Sequence, residues 1–280
     1  MSFLALLAAL FLSRTWSDYG RGLHRDRWYE NWQAQMRSLG LSPVVRLVPE
    51  VLLPAVAVYL VLEALQPLLF GLAWIAVATI ILLYSLGRGE LGAESERYRS
   101  QCRRGDFEGA LLYAQQALGV RETEGGAPQS ELEVHRQVQT ACLYQAHQRW
   151  FAVFFYFLLL GPAGALAYRL MQESAENSPT AGTLLFYIDW VPGRLAAAAF
   201  VVTGNFVESA DELYEGFRHP QQSTSEMLYS VAMAATGQDR EAIPENNYGD
   251  FAARQNESMQ ALIRRSAVCW IVVISLLVLL

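Results

Sequence analysis

The sequence predicts an all-α, polytopic integral membrane helical protein, with about five to six hydrophobic segments and helical cytoplasmic regions between them. Three observations carry this. Hydrophobic residues make up 53% of the 280 residues and come in blocks, which fits spans in hydrocarbon better than one soluble core. The cations are all arginine, with no lysine in the chain, and most lie in the polar stretches between the blocks. One apolar block, Thr183 to Phe206, holds both Asp189 and Arg194. Ionisable groups at membrane depth are costly, so they face a protein interior or a wet cavity.

Composition also excludes. Without lysine there is no Schiff-base or P-loop lysine chemistry. A net charge of −6, with no dense basic patch, argues against a nucleic-acid partner. Cys102, Cys142 and Cys269 form no Cys-x-x-Cys and no metal-ligand spacing, so they read as reduced, structural thiols. The first apolar run lacks a basic n-region and a small-x-small cleavage site, so it reads as retained.

The chain reads as one membrane domain over 1–280, with hydrophobic segments at about 2–12, 47–65, 68–86, 150–170, 183–206 and 266–280. Segment 2–12 makes only about 16 Å of helix, so whether it spans stays open. The stretch 13–46 mixes Arg14, Trp16, Arg21, Arg25, Arg27, Trp28, Trp32 and Arg37, which suits an interfacial helix on an anionic leaflet. Pro49 and Glu50 fit a first helical turn, and the short link Glu63 to Pro67 makes a hairpin of the next two segments. In 87–149 the sequence predicts helices over Glu90–Arg104 and Phe107–Leu118, with Asp106 as N-cap. A mobile loop follows over Arg121–Gln129, and Ser130 with Glu133 forms a capping box. Gly105 to Leu111 resembles one tetratricopeptide unit, but a single copy cannot stack. Segment 150–170 has an aromatic half and a kinkable half, Gly161-Pro162-Ala163-Gly164-Ala165, that allows close helix approach. Further helices are predicted at Phe206–Phe217, Ser225–Thr236 and from Asp250 onward. Regions 13–46, 87–149 and 205–265 carry six, eight and five arginines, while 64–67 and 172–182 carry none. The positive-inside rule therefore places 13–46, 87–149 and 207–264 in the cytoplasm and 172–182 outside.

The motif Ile188-Asp189-Trp190-Val191-Pro192-Gly193-Arg194-Leu195 is the focus. Pro192 lacks an N–H and Gly193 favours non-helical backbone, so the expected break lies between them, with a charge on each side. Broken helices at depth line a cavity or are buried in protein. Two readings stand: Asp189 and Arg194 pair for packing, or they face a ligand.

Other chemistry is sparse. His135 and His147 lie twelve residues apart, about 18 Å on one helix, too far to share a metal. Arg149, at the mouth of segment 150–170, can face an anion or headgroups. Glu173, Glu176 and Asn177 offer oxygen ligands for a divalent cation, yet a solvated turn needs none. No Walker, Gly-x-Ser-x-Gly or His-x-x-x-His motif is present.

Two runs carry a resemblance: Gly161-Pro162-Ala163-Gly164-Ala165-Leu166-Ala167-Tyr168-Arg169, and Asp189-Trp190-Val191-Pro192-Gly193-Arg194-Leu195. Together they resemble the AmpE family of bacterial inner-membrane proteins. They are also similar to the related CobD/CbiB family of adenosylcobinamide-phosphate synthases, as is Gly119-Val120-Arg121-Glu122-Thr123. Departures from the synthases are several. Cys142 to His147 stands where they carry a Glu-Asn pair, Leu170 to Ala175 replaces their Asn-Thr-Leu-Asp-Ser, and their His-Pro motifs are missing.

The AmpE resemblance implies a multi-pass protein of the bacterial inner (cytoplasmic) membrane. Its implied role is regulatory signalling in β-lactamase induction, the antibiotic response and cell-wall recycling, beside the cytosolic amidase AmpD. The expected protein is a non-catalytic relative of the synthases with no cofactor. It sits in membrane lipid and reads a small phosphorylated or muropeptide ligand through Asp189, Arg194, Arg149, Arg121 and His147. The alternative is a CobD/CbiB-type enzyme that forms an amide bond or binds a Mg-nucleotide, with Arg121, Arg149 and Arg194 on phosphates. A third reading is a passive scaffold for a cytosolic partner.

Overall fold

The structure is a computed structural model that describes residues 2–15, 26–86, 91–117, 130–238, 241–242, 244 and 247–279. It is all helical, with no strand among the described residues. Contacts divide the chain into two compact units, where the sequence reading has one domain: 1–89 with 152–189 and 274–280, and 90–151 with 190–273.

The first unit holds α1 (Ser2–Thr15), α2 (Arg27–Ser38), α3 (Pro43–Leu65), α4 (Leu72–Ser85), α8 (Ala152–Asn177) and α9 (Pro179–Ile188). Pro43 opens α3, where its missing N–H costs nothing, and Pro49 and Pro54 lie inside the helix. Pro54 cannot donate to the carbonyl four residues back. That carbonyl belongs to Glu50, and the Trp32 indole N–H of α2 takes it at 3.2 Å. A 3-10 turn, Leu68–Gly71, joins α3 to α4 and needs left-handed backbone at Phe70 and Gly71. α8 breaks at Gly161, whose φ of 70° and ψ of −161° are not helical, as the Gly-Pro pair predicts. Tyr29 of α2 donates to the Leu170 carbonyl at 3.2 Å and shares a 2.7 Å hydrogen bond with Ser174.

These bonds set α2 beside the far end of α8.

The second unit holds α5 (Leu91–Arg103), α6 (Phe107–Ala117), α7 (Glu131–Ala146), α10 (Trp190–Thr203), α11 (Phe206–Arg218), α12 (Thr224–Thr236) and most of α13 (Tyr248–Leu279). The expected caps form. Asp106 accepts from Gly109 N at 2.9 Å, and Ser130 accepts from Glu133 N at 3.2 Å. Its core includes Tyr98, Leu143, Phe151, Phe200, Leu228 and Met259. Phe151 meets Phe200 and Trp270 edge-on at 5.8 Å, a geometry worth about 1 kcal/mol beyond burial.

Three helical stretches are long and apolar enough to cross a membrane: Pro43–Leu65, Glu131–Asn177 and Tyr248–Leu277. The bent pair α9–α10 makes a fourth if it counts as one span. This is fewer than the apolar blocks of the sequence. α1 and α4 have 14 residues each, about 21 Å of helix against a hydrocarbon core of about 30 Å.

Candidate functional site

The helix break falls at Asp189, three residues before the expected position. α9 ends at Ile188, Asp189 caps it, and α10 starts at Trp190. Pro192 therefore sits in the first turn of α10, where its missing N–H is harmless. Gly193 is helical and serves close packing instead. A Cβ there would lie 2.4 Å from Thr224 Cγ2, so α10 and α12 touch through it.

Proline still costs the preceding turn a donor, because Pro192 cannot reach the carbonyl of Ile188. Tyr156 of α8 supplies it, donating its hydroxyl to Ile188 O at 2.9 Å. Twelve residues further along α8, beyond the break at Gly161, Tyr168 donates to Asp189 Oδ1 at 2.6 Å. The two tyrosine rings stack with centroids 5.1 Å apart. Asp189 is fully buried. A buried carboxylate needs donors, and the second half of α8 provides one. Tyr156, Tyr168 and Ile188 also line an open apolar groove of about 770 Å³ between α3, α8 and α9.

Arg194 is buried too, with 2% exposure. Its guanidinium lies over the Trp190 ring at 4.0 Å and donates to Gly216 O at 2.9 Å and Trp190 O at 3.2 Å. Gly216 is in the last turn of α11, whose final carbonyls have no helical donor. A cation there also opposes the negative end of the helix. Each of these partners lies within the second unit, and each keeps the guanidinium occupied.

The other candidates have partners of their own. Arg149 lies 3.6 Å from Glu94; burial raises the Glu94 carboxyl above its ordinary value, with Arg149 opposing. His147 is fully buried in a π-helical turn, His147–Phe151, and stacks on Tyr144. Arg121 lies outside the described residues. Glu173 is bonded to Arg169. Among the described residues no three His, Cys, Asp or Glu side chains gather as metal ligands. Burial lifts the Cys102 thiol to about 11, far from a reactive thiolate at neutral pH.

Sequence reasoning missed the two tyrosines. The signal was Pro192 itself, which implies an orphaned carbonyl at Ile188. It also missed the setting of His135, whose ring meets Tyr98 at 2.8 Å, Gln139 at 3.0 Å and Gln255 at 3.1 Å. Such a buried, hydrogen-bonded set fixes a core rather than decorating an interface.

Comparison with known proteins settles the lineage. Residues 1–280 match the family described as "Regulatory signalling modulator protein AmpE". The chain belongs to the AmpE family. A curated relative, "Protein AmpE" of Shigella flexneri, is 24% identical over 161 residues, covering 52% of this chain and 56% of the relative. The match thus spans about half the length of that AmpE protein. No solved structure matches.

Proposed function

We propose that this AmpE-family protein is a multi-pass regulator in the bacterial inner membrane, acting in β-lactamase induction and cell-wall recycling signalling. Its output goes to the cytosolic amidase AmpD, and its input is a small phosphorylated or muropeptide ligand. The observation that carries this reading is the whole-chain match to a family of signalling modulators. The geometry adds a candidate moving part. Asp189 is a buried carboxylate at a helix break, held by the Tyr168 hydroxyl at 2.6 Å, and a regulator needs an element with two states. In this reading the protein is a non-catalytic relative of the CobD/CbiB synthases. The enzyme alternative wants Arg149 and Arg194 on phosphates. Arg149 pairs with Glu94 and Arg194 reaches the Gly216 carbonyl, so no observation favours it.

The test is genetic. The native gene is deleted, β-lactamase is measured after a β-lactam inducer, and wild type or Asp189→Ala is returned at equal membrane abundance. Induction should change on deletion and be restored by wild type but not by the variant. Induction indifferent to the deletion would overturn the proposal.

A further inference from the structure

The groove of the first unit is built rather than incidental. Its floor is Gly164 and Ala167 of α8. A Cβ on Gly164 would lie 2.4 Å from Leu160 Cβ and 2.7 Å from the Tyr156 carbonyl, so the break at Gly161 brings the preceding turn down onto it. One wall is α3, with Val44, Val48 and Leu52; the other is α9. No charged side chain is among the lining residues, and the Tyr156 and Tyr168 hydroxyls at its edge are already donating to Ile188 and Asp189.

Length and setting identify the occupant. Val44 to Leu52 runs about 12 Å and Pro179 to Ile188 about 14 Å at 1.5 Å per residue. One leaflet of a bilayer contributes about 15 Å of hydrocarbon. α3 and α8 belong to stretches long and apolar enough to cross a membrane, and α9 is half of the bent pair. Water does not fill an apolar groove at that depth; an alkyl chain does.

The groove also has a direction. Tyr29 and Trp32 tie α2 to Leu170, Ser174 and Glu50, so the start of α3 and the end of α8 lie beside α2. That helix carries exposed Arg27 and Arg37 and half-exposed Trp28, the residue types of a headgroup layer.

We infer that the groove seats one acyl chain of a bilayer phospholipid, with the phosphate at the α2 end beside Arg37. This rests on the membrane setting alone and stands whether or not the protein regulates β-lactamase.

The test is photolabelling in nanodiscs, with a phospholipid that carries a diazirine at the end of one acyl chain. Labels should map to the deep end of the groove, around Leu52, Leu160 and Tyr187. Ala167→Phe should abolish them. Val56→Phe, exposed on α3 but outside the groove, should leave them intact. If Ala167→Phe does not assemble, Thr183→Phe on the exposed rim of α9 serves instead. Labelling that survives the filled groove, or that is as dense at exposed Leu158 and Val272, would overturn the inference. So would displacement of the phospholipid by a trace of polyprenyl phosphate, which would assign the groove to an isoprenoid.

Discussion

Asp189 and Arg194 stand five residues apart and solve the same problem differently. The carboxylate accepts a short bond from Tyr168. The guanidinium spreads over an indole face and two carbonyls. A carboxylate only accepts and is satisfied by hydroxyl donors. A guanidinium is a flat fork of five donors that also stacks on rings, so two carbonyls and an aromatic hold it even though its Nε has no hydrogen bond.

The largest expected effect breaks the Arg194 side of the comparison. Arg194→Ala removes the stacked plane and the cap on α11, and should cost about 3 kcal/mol of stability in thermal unfolding of the detergent-solubilised protein. Arg194→Met should recover part of it through volume on Trp190. A loss confined to signalling, with stability intact, would instead make Arg194 a ligand residue.

The Asp189 side comes next. Asp189→Ala removes the carboxylate that accepts from the buried Tyr168 hydroxyl, for about 2 kcal/mol. Tyr168→Phe should cost a similar amount, and the double variant hardly more than either. Additive losses in that cycle would show that the 2.6 Å bond does not carry the coupling.

A smaller effect sharpens the role of Gly193. Gly193→Ala drives a methyl into Thr224 Cγ2 and should cost about 1.5 kcal/mol. Thr224→Ser deletes that atom and should rescue it. No rescue would return Gly193 to a hinge role.

The smallest concerns the Arg149 candidate. Burial holds the Glu94 pKa above its ordinary 4.5. The fold thus prefers the protonated acid, and stability falls as pH rises from that value through the raised one. Glu94→Gln should flatten this dependence and shift neutral-pH stability by less than about 1 kcal/mol. An unchanged slope would remove Glu94 from the account.

Much of the fold is legible in the residues. Asp106, Ser130 and Glu133 announce helix starts because side-chain capping is local chemistry. Gly161-Pro162 announces a break because both residues act on their own backbone. The expected break at Pro192-Gly193 fell instead at Asp189, since a proline in a first turn is no obstacle.

The sequence by itself determined that this chain is helical and apolar enough to cross a membrane, that two charges lie inside one apolar block, and that Pro54 and Pro192 each withhold a donor from the carbonyl four residues back. Only tertiary structure decided who answers them: Trp32 for Glu50, Tyr156 for Ile188, Tyr168 for Asp189, and Gly216 for Arg194. The reason is physical. An orphaned group is a property of one backbone, whereas its partner comes from another helix, and residue order does not encode which side chain will arrive within 3 Å.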